Sequence, residues 1–455
     1  MIKFLIYCGI FLVSIATVMV EPANGAVTLL VVGFLSTVFI VVFRRATSEK
    51  EFVTNVYLAA LALRLTAGLV LHVFDLREFA GPDSITYDMG ATAVANYWRG
   101  LPDTNGIDAA QILSLRGSGW GMNYLFGFLY LLVGPNILAA QSLCGVIGAA
   151  TVPMVYFCTD KLYGNHRVAR FAAVGVALFP AFIIWSSQLL KDGLIVFLLV
   201  LAITMVLSLQ KKFSWLAITF LIISLIGVLS LRFYSFYALG VAVAGGLIIG
   251  LETSAKAIAQ RTVVLCIIAL SFIYFGFVKV ATVDFNTYSS LEERQFSRRA
   301  MTDATSGYGG ETDVSTTSGA ISAIPVGFAY LMFAPFPWEM KNFRQTTVLP
   351  DVLLWWGMMP FLAYGLWYSV RHRLRSNIPV FVFTAILTLA YSMFQGNLGA
   401  AYRQRTQIQV FLFIFIAVGW GLIMERREDR RTIEARRRSE LIQRRRAPLE
   451  HSHQV

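Results

Sequence analysis

The stretch LAALALRLTAGLVLHVFDLREFAGPDSITYD (58–88) runs from an almost wholly apolar segment into three aspartates, Asp75, Asp83 and Asp88. The apolar part, taken from residue 53 to 74, has the ~20-residue length needed to cross the hydrocarbon of a bilayer. Its one interior charge is Arg64, which falls with His72 and Asp75 on one helical face leading toward the aspartates. A charge inside hydrocarbon is costly, so Arg64 reads either as a structural arginine paired with a neighbouring carboxylate or as part of a substrate path.

The rest of the chain repeats this pattern. Of its 455 residues, 57% are hydrophobic and 14% charged, and the mean hydropathy is +0.65, which excludes a water-soluble domain of this size. Every backbone group in hydrocarbon needs an internal partner, so the apolar runs are helices. The expected fold is therefore all-α, a polytopic membrane bundle of about twelve spans. These lie near residues 4–20, 26–43, 53–74, 137–158, 169–187, 193–209, 214–230, 236–251, 262–282, 350–370, 378–394 and 405–424. The first run lacks a basic leader beyond Lys3 and a small-residue cleavage site before Glu21, so it reads as a retained helix.

Charge orients the bundle. The tail from residue 425, with ERREDRR, EARRRSE and IQRRR, is the most basic segment, and the positive-inside tendency places it in the cytoplasm. Twelve spans then put both termini inside, together with Arg44, Arg45, KLYGNHR (161–167), Lys211, Lys212 and RHRLR (371–375). The net charge of +12 is explained by these loops and the tail, so nucleic acid is not an expected partner. Three parts follow. Residues 1–52 form an N-terminal transmembrane hairpin and cytoplasmic loop. Residues 53–424 form a core with outer segments 75–136 and 283–349, and residues 425–455 form a basic tail that reads as a solvated segment or a surface helix on anionic lipid.

Within the outer segments, WGMNYLFGFLYLLVG (120–134) and AISAIPVGFAYLMFAPF (320–336) read as helices lying at or re-entering the interface. TDATSGYGGETDVSTTSGA (302–320) reads as a mobile loop, a linker or one that orders over substrate. The cysteines Cys8, Cys144, Cys158 and Cys266 all sit in apolar runs and read as small core residues. No Cys/His spacing suits zinc or iron.

The outer ends of the spans hold the chemistry. WSSQLLKDG (185–193) carries Lys191 and Asp192, where Asp192 is a helix cap or a functional carboxylate; LRFY (231–234) carries Arg232. QGNLGAAYRQRTQ (395–407) carries Arg403 and Arg405, against the cytoplasmic bias of arginine. The planar guanidinium stays charged and donates paired hydrogen bonds, so outer arginines point to an anionic, phosphate-like ligand. A carboxylate beside them could take a proton from a hydroxyl while arginine stabilises a departing phosphate. Tyr87, Tyr97, Trp98, Trp120, Tyr308 and Trp338 could stack on sugar rings or form an interfacial belt.

With these motifs in view, the sequence resembles the membrane-embedded glycosyltransferases of the GT-C superfamily, of the protein-mannosyltransferase kind. The likeness is carried by LALRL (61–65), PDSITYDMGATA (82–93), KLYGNHRVARFAAVGVALFPAFIIWSSQLLKDG (161–193) and AYRQRTQIQVFLFIFIAVGWGL (401–422), in that order along residues 53–424. The resemblance implies transfer of a sugar from a polyprenyl-phosphate carrier to an acceptor hydroxyl at the outer face of a bacterial-type inner membrane, for a cell-envelope glycan, lipid or protein. It makes Asp83 the catalytic base, places Asp192 near donor or acceptor, and sets Arg403 or Arg405 at the lipid phosphate, with Tyr87, Lys191, Arg232 and Arg64 as further binding residues. The family often has a second acidic residue where this chain has Ser84, which leaves Asp75 or Asp88 as alternative bases. Some relatives use a divalent metal; the few carboxylates placed together here point to no cofactor. Two other classes share the outer arginines: an O-antigen-type polymerase or ligase, and a transporter or flippase.

Overall fold

The computed structural model describes residues 2–102, 109–114, 119–249, 254–288, 290–303, 306–340 and 343–451, so the last four residues of the expected tail lie outside it. Among the described residues the regular structure is helical, with one isolated antiparallel bridge, Gly307 to Asn397. The chain begins with α1 (Ile2–Val20), α2 (Pro22–Ala46) and α3 (Lys50–Val73), followed by the first outer segment with α4 (Arg77–Ala80), α5 (Asp83–Trp98), α6 (Ala109–Ile112) and α7 (Trp120–Val133). The central bundle is α8 (Ile137–Tyr163), α9 (His166–Leu178), α10 (Pro180–Ser186), α11 (Lys191–Lys211), α12 (Trp215–Leu231), α13 (Phe233–Ile249) and α14 (Ala255–Tyr274). The second outer segment holds α15 (Phe277–Tyr288), α16 (Leu291–Thr302), α17 (Thr317–Phe333) and α18 (Phe343–Thr346); α19 (Leu349–Phe394) and α20 (Leu398–His451) close the chain.

The helices start where polar side chains satisfy otherwise unpaired amides. Asn136 Oδ1 accepts from Ala139 N at 3.0 Å, Asn165 Oδ1 from Arg167 N and Val168 N at 3.0 and 3.2 Å, and Ser214 caps α12 in the same way. Pro180 has no amide to continue α9, so the chain bends by 58° into α10. That bend lifts Trp185 to Ser187 off the line of the span and delivers them to the site.

Among the described residues, eight helices are long and apolar enough to cross a bilayer, and the bent pair, taken as one span, makes a ninth. One of the eight, α19, is two crossings. Trp355 packs on Phe413 and Phe361 on Trp420; beyond a non-helical Arg373, Phe381 packs on Phe415 and Phe383 on Phe411. The partners on α20 first ascend and then descend in number, so the chain folds back at Arg373. Helices α12 and α13, each 17 residues, complete the expected spans at the short end of the usable range. The ninth expected span, 262–282, is displaced: its helix runs Ala255–Tyr274, and Gly276 breaks the line before α15. Of the two apolar helices expected at the interface, α7 has 14 residues, too few for a perpendicular crossing, whereas α17 has 17, the same length as α12 and α13.

The buried centre is formed by α8, α11 and α20, whereas α1, α2 and α14 present Phe4, Phe11, Phe34 and Leu270 outward, as lipid-facing helices do. Side-chain pairs fix which loops share an end. Lys3 bonds Glu51, Arg170 pairs with Glu49, Lys211 bonds the Lys161 carbonyl and Arg167 makes a forked pair with Glu428. All of these belong to loops expected on the cytoplasmic side. At the other end His72 meets Glu21 at 2.7 Å, which ties the N-terminal hairpin to α3.

Candidate active site

At this second end four distant segments converge. Gly81 lets the turn before α5 lie against the turn before α11: a methyl group placed on it would stand 2.8 Å from Leu190 Cδ1. Asp83 is the first residue of α5, where the helix dipole favours a carboxylate, and Asp192 is in the first turn of α11. Between them stands Arg403 of α20. Its Nη1 donates to Asp83 Oδ2 at 2.9 Å, and its Nη2 and Nε donate to Asp192 Oδ2 at 2.7 and 3.2 Å. Arg232, at the C-terminal cap of α12, donates from Nη2 to Asp192 Oδ1 at 3.3 Å.

The two carboxylates differ in setting. The Asp192 side chain has no exposure and is held by both arginines, whereas that of Asp83 is 48% exposed with one arginine bond. The guanidinium of Arg403 also lies over the Trp185 ring, 5.3 Å from its centre. Lys191 and Tyr87 flank Gly119, whose φ of +95° is one that side chains rarely adopt. A methyl group there would lie 3.0 Å from the Tyr87 hydroxyl and 3.4 Å from Lys191 Nζ. Burial pushes the Tyr87 hydroxyl above its ordinary pKa, and the Asp83 charge adds to this, so it remains a hydrogen-bond donor across the working pH range. The cluster contains Lys191, Arg232 and Arg403 against Asp83 and Asp192, an excess of one positive charge.

Two cavities bear on the site, the first with Arg403 in its wall. One of about 370 Å³ is bordered by Pro82, Trp185, Ser306, Val348, Tyr402 and Arg403 and opens beside Asp83. Another of about 290 Å³ is almost entirely apolar, lined by Phe39, Leu125, Leu194, Phe197, Leu198 and Leu231, and no side chain of the cluster lines it.

Other sequence expectations fall elsewhere. Arg405 does not join Arg403. Residues two apart on a helix point about 200° apart, and Arg405 turns inward, donating to the carbonyls of Met332 and Ala334 at 3.2 and 2.9 Å with Asp351 at 3.8 Å. Arg64 is buried beneath the cluster. Its hydrogen bonds go to Ser186 Oγ at 2.8 Å and the Ala60 carbonyl at 3.0 Å, not to a carboxylate, and it shares with Asp192 a void of about 10 Å³, room for roughly one water. Asp88 accepts from Tyr130 at 2.5 Å, and Asp75, at φ +50°, faces solvent beside Arg77; neither contacts an arginine of the cluster.

The loop expected to be mobile is held where it is described. Arg298 donates to the Thr312 carbonyl at 2.6 Å, Gln295 accepts from Val314 N at 2.8 Å, and Tyr308 N and Leu398 N bond Gly396 O and Ser306 O across the lip of the larger cavity. Tyr308 stacks on Tyr330 at 4.3 Å and is buried, so it offers no ring to a sugar; Trp120 is buried too, while Tyr97 and Trp338 are exposed. Sequence reading missed Trp185, although its place in WSSQLLKDG beside the acidic turn was the available signal. The four cysteines are free thiols, and among the described residues no three His, Cys, Asp or Glu side chains stand together as a metal site.

Neither protein-family models nor curated proteins match this sequence. Among solved structures, the chain is similar to the Archaeoglobus fulgidus oligosaccharyltransferase in its apo form, with a TM-score of 0.48 and 13% sequence identity. The similarity covers 83% of this chain and 52% of that one, so the chain spans about half the length of the protein it matches.

Proposed function

We propose that the protein is a membrane glycosyltransferase that moves a sugar from a polyprenyl-phosphate carrier to an acceptor hydroxyl at the outer membrane face, in cell-envelope glycan, lipid or protein modification. The observation that carries this reading is Arg403 bridging Asp83 and Asp192, with Arg232 behind it, at the wall of a cavity of about 370 Å³. A half-exposed carboxylate and a largely buried guanidinium pair beside it are the two parts that transfer from a phosphate needs.

In the proposed step the acceptor oxygen bonds to the anomeric carbon as the bond from that carbon to the phosphate oxygen breaks. Asp83 takes the acceptor proton, and the bonding pair leaves with the phosphate, whose growing charge meets Arg403, Arg232 and Lys191. Tyr87 donates a hydrogen bond to the same group. The isoprenoid chain lies in the apolar cavity that Leu194 and Leu231 line. The reading includes no metal, a bacterial inner membrane, and cytoplasmic termini with the site outside.

Purified protein in detergent, given radiolabelled polyprenyl-phosphate mannose or galactose with a lipid or peptide acceptor, tests it. The expected result is labelled product and released polyprenyl phosphate, insensitive to EDTA and lost in Asp83→Asn. Movement of substrate across vesicles with no covalent product would overturn it in favour of a transporter.

A further inference from the structure

The three nitrogens of Arg403 are all committed, yet to partners that are unequally fixed. Nε and Nη2 hold Asp192, which is enclosed, rooted in the first turn of α11 and gripped from its other oxygen by Arg232. Nη1 holds Asp83, half exposed and sitting on the first turn of α5 beside the cavity. Among the described carboxylate partners of Arg403, Asp83 is the half-exposed one and Asp192 the enclosed one, so Asp83 is the partner an arriving anion can replace.

We infer that the Asp83 carboxylate occupies the place on Arg403 that a phosphate oxygen of the ligand takes, and that binding exchanges one for the other. This rests on the phosphate-carrier reading above and assigns the phosphate position within it. The exchange does two things at once. Arg403 keeps a full set of acceptors, because the phosphate replaces the carboxylate it displaces. Asp83 is released toward the cavity lined by Pro82 and Trp185, where an acceptor hydroxyl enters. The base is thus delivered only after the phosphate is seated. Asp192 stays in place and keeps the guanidinium plane oriented throughout.

The charges agree with this assignment. With Asp83 turned away from Arg403, the nearest groups are Arg403, Arg232 and Lys191 against Asp192. That leaves an excess of two positive charges, enough to hold the diester donor at −1 and to match the monoester, about −1.5 to −2 at neutral pH, that forms as the sugar leaves. A neutral alcohol of the same chain length gains nothing from it.

The experiment is calorimetric titration of the detergent-solubilised full chain with farnesyl phosphate, with farnesol as the control for the chain alone. Wild type binds farnesyl phosphate more tightly than farnesol, and Arg403→Met removes that difference. Asp83→Asn and Asp83→Ala each bind farnesyl phosphate about two- to fivefold more tightly than wild type, since a competing half-exposed ion pair has been removed. In wild type, farnesyl phosphate speeds hydrogen exchange in the first turn of α5, a measurement that needs no variant to fold. If wild type shows no preference for the phosphate, the functional reading itself fails. If wild type prefers the phosphate but both Asp83 variants bind it equally or more weakly, and α5 exchange is unchanged or slowed, the exchange of partners is wrong.

Discussion

Replacing Arg403 by Met is the sharpest test of the geometry. Asp192 has no exposed side-chain surface and receives two bonds from Arg403, at 2.7 and 3.2 Å, but a single longer one from Arg232 at 3.3 Å. Removing one partner of a buried pair costs about 3–5 kcal/mol, because the remaining charge is left in a medium that cannot solvate it. Arg232 stays, and Arg403 is 17% exposed, so the lower end applies, about 3 kcal/mol. Asp83→Asn removes a half-exposed carboxylate from a bond of similar length, and Arg403 keeps Asp192, so it costs under about 1 kcal/mol. In the double variant Arg403→Met, Asp192→Asn, neither half of the buried pair is left charged and alone, so a coupling of about 2 kcal/mol is recovered. Reversible SDS unfolding of the detergent-solubilised protein, followed by tryptophan fluorescence, reads these three variants and the single variant Asp192→Asn that completes the cycle. Equal costs for Arg403→Met and Asp83→Asn, or strict additivity of the double variant, would refute the asymmetry on which the site description depends.

Arg405→Met is expected to destabilise by about 3–5 kcal/mol while leaving farnesyl phosphate affinity in the surviving folded fraction unchanged, because Arg405 serves Asp351 and two carbonyls away from the cavity; adding Asp351→Asn restores much of the loss in SDS unfolding. Gly119→Ala places a methyl group against Tyr87 and Lys191 at a φ of +95°, so it costs about 1 kcal/mol or more and raises KM for the lipid donor several-fold. At Glu21 partial burial pushes the carboxyl pKa up, but hydrogen bonds from Asn24 and His72 and the His72 charge outweigh it, leaving the net displacement downward from 4.5. Stability from this contact is therefore present above the unfolded value and lost as pH falls through the lower folded one. Protease protection of the first hairpin, measured from pH 6 to pH 3, drops over that interval in wild type and is flat in Glu21→Gln.

Much of the architecture was legible because hydrocarbon leaves the backbone so few choices. Apolar length located the spans, and the sides assigned to Asp83, Asp192, Arg232 and Arg403 placed them at one end, where the structure brings them together. Distances within an end were not legible. Arg403 and Arg405 look equivalent in YRQRT, and only helical phase together with the carbonyls of 332–334 separates them. Asp83 was preferred as the base on the family resemblance alone, with Asp75 and Asp88 as alternatives; tertiary partners separate them, Tyr130 bonding Asp88 and Arg403 bonding Asp83. The loop at 302–320 lacks large apolar residues, so nothing in its composition signals that Arg298 and Gln295 of the preceding helix grip its backbone. Its order comes from backbone hydrogen bonds, which composition does not encode.

The count of charges also bears on turnover. The cluster carries one excess positive charge while Asp83 is a carboxylate, and two once Asp83 has taken the acceptor proton. Over the same step a phosphodiester donor with charge −1 becomes a monoester approaching −2. Site and ligand therefore stay close to neutral together at both ends of the reaction, with the proton moving by the shortest route between them. Such balance stabilises the departing phosphate without a large net field in the resting protein. Lys191 supplies one unit of it, so Lys191→Met shifts the balance by one at both stages. The expected result is an inhibition constant for farnesyl phosphate about tenfold weaker, the size of one lost charge-assisted contact, together with a lower kcat because less charge meets the leaving group. Product inhibition measured against the labelled-sugar assay decides it: an unchanged inhibition constant would show that Lys191 lies outside the field of the phosphate and that the matching of charges is coincidental.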